Sequence, residues 1–271
     1  MSTRVGFVGL GNIGKPMALR LAAAEGVDLQ VYDVAPEPVA ELVAAGAAAA
    51  DSVAALAAAV DVVCVMVRDD AQVRDVATDV GSGTVLVVHS TVAPDTPAEL
   101  EALGHTVLDA PVSGGPMGAA DGSLAIMVGG SEEAFAAARP ALDVMGSRVV
   151  HAGPVGAGTR FKLARNLMHF VSFSAAMEAS RLAEAAGLDV AELGRVVRHT
   201  DAVTGGPGAI MLRDTTAPIA PDDFWFGVME HVRALGEKDL GFAIALADEL
   251  GVDVPLARQA LPRLGKELGL P

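Results

Sequence analysis

Near the start of the chain the apolar run Val5-Gly6-Phe7-Val8 breaks into a glycine-spaced turn and then into an alanine-rich stretch with helical spacing. A short apolar run bounded by glycine reads as a buried strand, and the amphipathic stretch after it reads as a helix. Strand-like runs recur at Arg4 to Val8, Leu29 to Tyr32, Val62 to Val67, Thr84 to Val88, Thr106 to Leu108, Leu124 to Val128 and Arg148 to Val150, with helix-like segments between most of them. That alternation predicts parallel βαβ units with helices on both faces of the sheet and ligands at the carboxyl ends of the strands. Beyond about residue 155 nothing resembles a strand. Thr159 to Ala186 reads as one long central helix buried on several sides, followed by helices over Val190 to Arg198, around His231 to Leu250, and Leu256 to Leu268. Gly205 to Gly208 and Thr215 to Asp223 read as loops. The alanine-rich tract Val43 to Ala59 reads as two short helices, the second capped at Asp51-Ser52. The pattern therefore predicts an α/β part with a parallel sheet followed, from about residue 155, by a helical part.

The turn after the first strand is Gly9-x-Gly11-x-x-Gly14, with Asn12 and Ile13 in the gap. In a dinucleotide fold the first glycine permits the tight turn, the second lets a pyrophosphate approach the backbone, and the third lets the helix pack on the strand. The anion then sits on free N–H groups at the helix N-terminus. In a chain with 30 glycines this spacing says little alone. The second strand-like run strengthens it by ending in Asp33, near the place of a ribose-binding acid. A carboxylate there accepts from a ribose diol and repels a 2'-phosphate, and the following Val34-Ala35 offers no guanidinium, so NAD is preferred over NADP. The alternative is that Asp33 only caps the turn before Pro36.

Composition narrows the partners. The 271 residues carry a formal net charge of −15, which argues against nucleic acid, whose phosphates require clustered Lys and Arg. Apolar stretches are interrupted by Asp28, Asp51, Asp61 and Arg68, short of the roughly 18 uninterrupted residues of a spanning helix. With no cleavable apolar leader before the first strand, a cytoplasmic protein is expected, with no membrane partner. The single cysteine, Cys64, lies in an apolar run and reads as a buried, inert thiol. His105, His151 and His199 lack the short spacings of zinc ligands, so no metal is expected. Trp225, between Phe224 and Phe226, reads as core or subunit interface.

Two further segments carry chemistry. Asp109-Ala110-Pro111-Val112-Ser113-Gly114-Gly115 follows a strand and ends in consecutive glycines, whose N–H groups can converge on a carboxylate beside the Ser113 hydroxyl. A plain Pro and Gly connection is the competing reading. The long helix opens at Gly156-x-Gly158 and places Lys162, Asn166 and His169 on one face. A lysine and an asparagine on a sealed face need partners or a task, whereas on an exposed turn they are solvated.

Taken in order, these motifs resemble the β-hydroxyacid dehydrogenases, the group of 3-hydroxyisobutyrate, tartronate semialdehyde and 6-phosphogluconate enzymes, over essentially the whole chain. The match lies in Gly9 to Gly14; Asp109 to Gly115 continuing through Gly118, Gly122 and Ile126 to Gly130; Gly156-x-Gly158-x-x-x-Lys162-x-x-x-Asn166; and Lys238-Asp239-Leu240 followed by Pro255. The resemblance implies an α/β Rossmann domain over residues 1–154 and an all-α domain over 155–271 joined by the long interdomain helix, with Lys162 as the general acid and base and Asn166 positioning the substrate oxygen. It further implies that Ser113, Gly114 and Gly115 hold a small-molecule carboxylate substrate, and that Lys238 closes the site near nicotinamide. Ser90-Thr91 would flank the nicotinamide, Met66-Val67 the adenosine side, and homodimers or homotetramers would form through the helical part. Departures from the family pattern are Arg165 where many members carry asparagine, His231 for a frequent phenylalanine, and His89 for the usual acid before Ser90. Together they suggest a more polar pocket, with Arg165 contacting a second substrate anion or facing solvent. The competing functions are a non-catalytic dinucleotide sensor and an imine reductase, a branch that usually lacks the lysine.

Overall fold

The computed structural model describes residues 2–271, which divide into two compact units, Met1–Arg165 and Asn166–Pro271. The first unit holds nine strands: β1 Thr3–Val8, β2 Val27–Tyr32, β3 Ala48–Ala49, β4 Val62–Val65, β5 Val85–Val88, β6 Thr106–Asp109, β7 Val112–Ser113, β8 Ala125–Gly129 and β9 Arg148–Gly153. Between them run α1 Gly14–Ala22, α2 Pro36–Ala44, α3 Val53–Ala59, α4 Asp70–Thr78, α5 Thr96–Ala102, α6 Gly115–Asp121 and α7 Glu132–Met145. One sheet results, ordered β3-β2-β1-β4-β5-β6-β8-β7, with β9 also paired to β8. The chain moves outward from β1 to β3 and then returns to β4 on the other side of β1. Strand order thus reverses between β1 and β4, and the crevice at their carboxyl ends is where doubly wound sheets bind ligands.

The period-two alternation of strands sorts the core. Val5 and Phe7 of β1, Val62 and Cys64 of β4 and Val87 of β5 pack with Met17, Leu21, Leu142 and Met145 of α1 and α7. Val8, Val63, Val65, Leu86 and Val88 face the other way, against Leu56, Val73, Val76 and Leu100 of α3, α4 and α5. Each such side chain contributes about 1.5–3 kcal/mol on full burial. Cys64 is fully buried and its thiol is pushed up to about 12 by desolvation, as expected of an inert core residue.

Three expectations for this unit need correction. The sheet is mixed, because β8 runs antiparallel to both β6 and β7. Eleven residues, 114–124, including the seven-residue α6, separate β7 from β8, just short of the dozen or more that a parallel crossover takes. Val112-Ser113 forms a short strand where a loop was expected. Between the two helices of the alanine-rich tract lies β3, which alanine, lacking the β-branched signal of strands, does not announce. Ser52 does cap the second of those helices, accepting from Ala55 N.

The second unit continues the long helix α8, Ala157–Ala185, into α9 Val190–Thr204, a 3-10 turn Gly206–Ile210, α10 Phe224–Leu250, α11 Pro255–Ala260, a 3-10 turn Leu261–Arg263 and α12 Leu264–Glu267. Strands are absent from it among the described residues. α9 runs on to a left-handed Gly205, and α10 starts earlier than expected because Asp223 caps it through Trp225 N. The expected helix Leu256 to Leu268 is divided around Pro262, which has no N–H to donate. Trp225 and Phe226 pack on Ile219, Met229 and Leu270 in a small core. Glu178, buried on α8, accepts from Leu256 N at 2.8 Å and Ala257 N at 3.3 Å, so its carboxylate caps α11. Against expectation, α8 is not buried on several sides within one chain. Leu167, Phe170, Phe173 and Met177 are each more than half exposed, since no described segment covers them.

Two glycines set how closely the start of α8 meets the sheet. A Cβ at Gly158 would lie 2.2 Å from Met127 O and 2.3 Å from Asp109 O, and one at Gly129 would lie 2.8 Å from both Ala157 N and Gly158 N. These neighbours are backbone and cannot step aside. Gly158→Ala is therefore expected to destabilise the chain by about 3 kcal/mol, the upper range for overpacking, measurable by chemical denaturation. An unchanged midpoint would show that the helix start is loosely held.

Candidate active site and dinucleotide cleft

At the β1/β4 crevice a cavity of about 760 Å³ is lined by Gly9, Gly11, Asn12, Ile13 and Gly14 and by Asp33, Val34, Met66, Val67 and Arg68. Its glycines divide the work as the spacing predicts. Gly9 has φ +95°, and a Cβ there would strike Met66 O at 2.3 Å. A Cβ at Gly14 would lie 2.0 Å from Gly9 O, whereas one at Gly11 would meet nothing within 4 Å. The bare backbone at Gly11 thus faces open space at the N-terminal end of α1, the arrangement that admits a pyrophosphate. Asp33 accepts from Leu10 N at 2.5 Å and Ala35 N at 2.8 Å. It ties the glycine turn to the end of β2 and also lines the cavity, so it does more than cap the turn before Pro36. A dinucleotide fits these residues.

Ser90, just past β5, is hydrogen-bonded to Val67 of the cleft lining. Its hydroxyl donates to Val67 O at 2.8 Å and accepts from Val67 N at 2.9 Å, joining the ends of β4 and β5. Ser90 is buried, and Thr91 is the exposed member of the pair. Asp69 and Asp70 serve the scaffold: Asp69 caps α4 through Gln72 N, and Asp70 accepts from Ala93 N at 2.9 Å and from Thr96 Oγ1.

The second constellation forms where α8 meets β6 and β7. Lys162 is 8% exposed, and its Nζ donates to Val112 O at 2.5 Å and Ser113 Oγ at 2.9 Å. Burial first, and then the Arg165 guanidinium, lower its pKa from 10.5 to about 8. Beside Ser113, Gly114 has φ +135° and Gly115 φ +63°, values that side chains resist. A buried amine of lowered basicity is thus hydrogen-bonded to a hydroxyl that precedes two glycines of positive φ. That arrangement suits proton transfer to or from a bound carboxylate-bearing molecule.

Residues 4–153 match the family described as the NAD binding domain of 6-phosphogluconate dehydrogenase, and residues 156–264 the one described as NAD-binding of NADP-dependent 3-hydroxyisobutyrate dehydrogenase. The chain belongs to the β-hydroxyacid dehydrogenase family. A crystal structure of an oxidoreductase from Mycobacterium avium is similar at 49% identity and TM-score 0.94, covering 98% of this chain and 99% of that one. The NAD-dependent L-serine dehydrogenase of Pseudomonas aeruginosa is 36% identical over 95% of this chain and 85% of its own length. The Mycobacterium tuberculosis 3-hydroxyisobutyrate dehydrogenase, crystallised with L-serine, is 34% identical with TM-score 0.67, covering 98% of this chain and 94% of that one. An imine reductase from Pseudomonas reaches TM-score 0.75 at 21% identity, a likeness of fold alone. Membership brings oxidoreductase chemistry and a dinucleotide cofactor.

Within that family frame, the first unit brings together Gly9, Gly11, Asn12, Ile13, Gly14, Asp33, Met66 and Val67 on the cleft, and Ser113 against the Lys162 amine, with Gly114 and Gly115 next along the chain. Arg165 and Asn166 follow Lys162 along α8, both half-buried. His231 and Lys238 are exposed on α10, where Lys238 Nζ lies 3.2 Å from Asp239. Arg68, Gln72, Val53 and Val76 also line the cleft and escaped the sequence reading. Only the run of apolar residues ending before Arg68 hinted at them. No group of three or more His, Cys, Asp or Glu among the described residues is arranged to hold a metal, and no described helix is long and apolar enough to cross a membrane.

His89 is corrected. Rather than making a pocket more polar, it is 1% exposed, stacks on Phe7 at 6.3 Å, and its Nδ1 donates to Ala110 O at 2.8 Å. Because a carbonyl only accepts, the proton is on Nδ1, and the buried Nε2 has no partner. Burial holds the ring neutral and lowers its pKa from 6.5 to about 4. The unfolded chain therefore binds the proton first as pH falls. Folding stability is full above pH 6.5 and is expected to decline by about 3 kcal/mol as pH drops to about 4. Denaturation across that range should show a shallower decline in His89→Gln than in the natural chain, and equal slopes would assign the acid sensitivity to other groups.

Proposed function

We propose that the protein is an NAD-dependent oxidoreductase that interconverts a small β-hydroxyacid and its semialdehyde, with Lys162 as general acid and base. The observation that carries this reading is the buried amine of Lys162, of lowered basicity, held at the Ser113 hydroxyl beside two glycines of positive φ. The relatives support the substrate class, because L-serine, named for one and bound in another, is itself a small β-hydroxyacid. NAD, when bound, supplies the hydride acceptor. Ser113 Oγ and the N–H groups of Gly114 and Gly115 hold the substrate carboxylate. Neutral Lys162 Nζ takes the proton of the β-hydroxyl as that carbon gives up its hydride, and the protonated amine returns it to the aldehyde oxygen in the reverse direction. Asn166, one turn further along α8, orients the same oxygen. Arg165 keeps the amine's basicity low and offers a cation to a second substrate anion. Lys238 and His231 join this assignment through the family resemblance alone.

For the cofactor, the Asp33 carboxylate on the cleft favours a ribose diol over a 2'-phosphate, and the L-serine dehydrogenase relative uses NAD. Arg68, on the same cavity, is a cation available to the cofactor's phosphates. The exposed apolar face of α8 at Leu167, Phe170, Phe173 and Met177 supports homodimers or homotetramers built through the helical part.

An NAD-linked screen of 3-hydroxyisobutyrate, L-serine, 3-hydroxypropionate and D-glycerate tests the assignment. Lys162→Ala is expected to lose about 10²–10⁴-fold in kcat with NADH binding retained. Oxidation should rise as pH increases through about 8, where the amine becomes neutral, and reduction should fall over the same interval. A chain that binds NADH, oxidises no hydroxyacid and is indifferent to Lys162→Ala would be a dinucleotide sensor instead. Asp33→Ser should weaken NADH binding about tenfold, one good charge-assisted hydrogen bond, and narrow the NAD-to-NADP ratio. An unchanged ratio by fluorescence titration would remove Asp33 from cofactor selection.

A further inference from the structure

The residue beneath Lys162 has no assigned role. Asp109, at the end of β6, is 0% exposed, and its two carboxylate oxygens take one backbone N–H each: Gly156 N at 2.7 Å and Thr159 N at 2.6 Å. Both donors lie at the opening of α8, where helical N–H groups have no partner within the helix. The main chain of Asp109 touches the same place, since its carbonyl oxygen lies 2.3 Å from where a Cβ of Gly158 would stand. Gly129, paired with Asp109 across the antiparallel bridge, also has no room for a side chain, because a Cβ there would lie 2.4 Å from Asp109 Oδ1. Two glycines therefore clear the space in which one carboxylate meets one helix end.

The contacts form a closed circuit. Val112 and Ser113, which accept from Lys162 Nζ, lie three and four residues after Asp109, and Lys162 lies three residues, about one turn, after Thr159. Asp109 is thus the point at which the two segments that meet at the amine are joined a second time. With that joint in place, the backbone at Lys162 sits at a fixed distance from Ser113, and the four-carbon stem has one span to cover.

We propose that Asp109 is the positioning residue for Lys162, capping α8 so that the amine is held at the Val112–Ser113 rim and kept out of water. The catalytic part of this proposal rests on the acid–base reading of Lys162; the positioning part does not. In Asp109→Asn the side chain keeps its shape, but one oxygen acceptor becomes an NH2 that faces an N–H. The test uses the full chain and reads two quantities. One is the rate at which Lys162 is acylated by an amine-reactive ester, measured by mass spectrometry. The other is steady-state oxidation with NAD. Asp189→Asn, which weakens the cap of α9, serves as a helix-cap control.

Asp109→Asn is expected to speed Lys162 acylation about tenfold or more and to lower kcat about 100-fold, with KM for NAD within twofold. The control should match the natural chain in both. An unchanged acylation rate in folded Asp109→Asn overturns the proposal. So does an equal gain in Asp189→Asn, which would mark a general loosening. Faster acylation with kcat intact supports the positioning and overturns the acid–base reading of Lys162, so the two failures are distinguishable. Should Asp109→Asn not fold, Gly158→Ala displaces the helix from an intact Asp109; it should give the same gain in acylation, and no gain would overturn the proposal.

Discussion

One buried carboxylate held by the first free N–H groups of a helix fixes where that helix meets the sheet. Asp109 is sealed from water, so an unsatisfied oxygen there would be costly, and the opening of α8 supplies the two donors that satisfy it. The helix gains an anionic cap at its positive end, and the strand end gains a fixed neighbour. Everything one turn further along α8 inherits that placement, above all the amine of Lys162. A lysine on a free helix would extend into solvent; here its ammonium is turned inward against a carbonyl and a hydroxyl.

The same economy shapes the cofactor side. Gly9 and Gly14 remove side chains where backbone must meet backbone, and Asp33 binds the resulting turn to β2 while still facing the cleft. Ser90 then locks the ends of β4 and β5 through both polar groups of Val67. The cleft lies where the strand order reverses, the place of ligand sites in doubly wound sheets.

His89 shows how a polar residue can be absorbed by a fold. Its ring is carried as a neutral aromatic against Phe7, with one nitrogen paired to Ala110 in the segment that leads to Ser113. Burial makes it a liability only in acid, where the unfolded chain takes up a proton that the core refuses.

Much of the architecture was legible in one dimension, because burial imposes its own periods. Alternating Val and Leu mark β1, β4 and β5, glycine spacing marks the phosphate turn, and Ser52 announces the helix it caps. The antiparallel β8 was not legible, since direction depends on how far the eleven residues around α6 carry the chain. Nor was β3, whose two alanines carry no strand signal. The sequence pattern singled out Lys162, Ser113 and the paired glycines as residue types. What they do for one another could not be read from it. Distances between Asp109, Thr159 and Lys162, the burial that lowers the amine's basicity, and the turning of His89 into the core arise only when segments some fifty residues apart are packed together. Local sequence sets which backbone shapes are cheap, whereas desolvation and charge depend on neighbours that only the folded chain supplies.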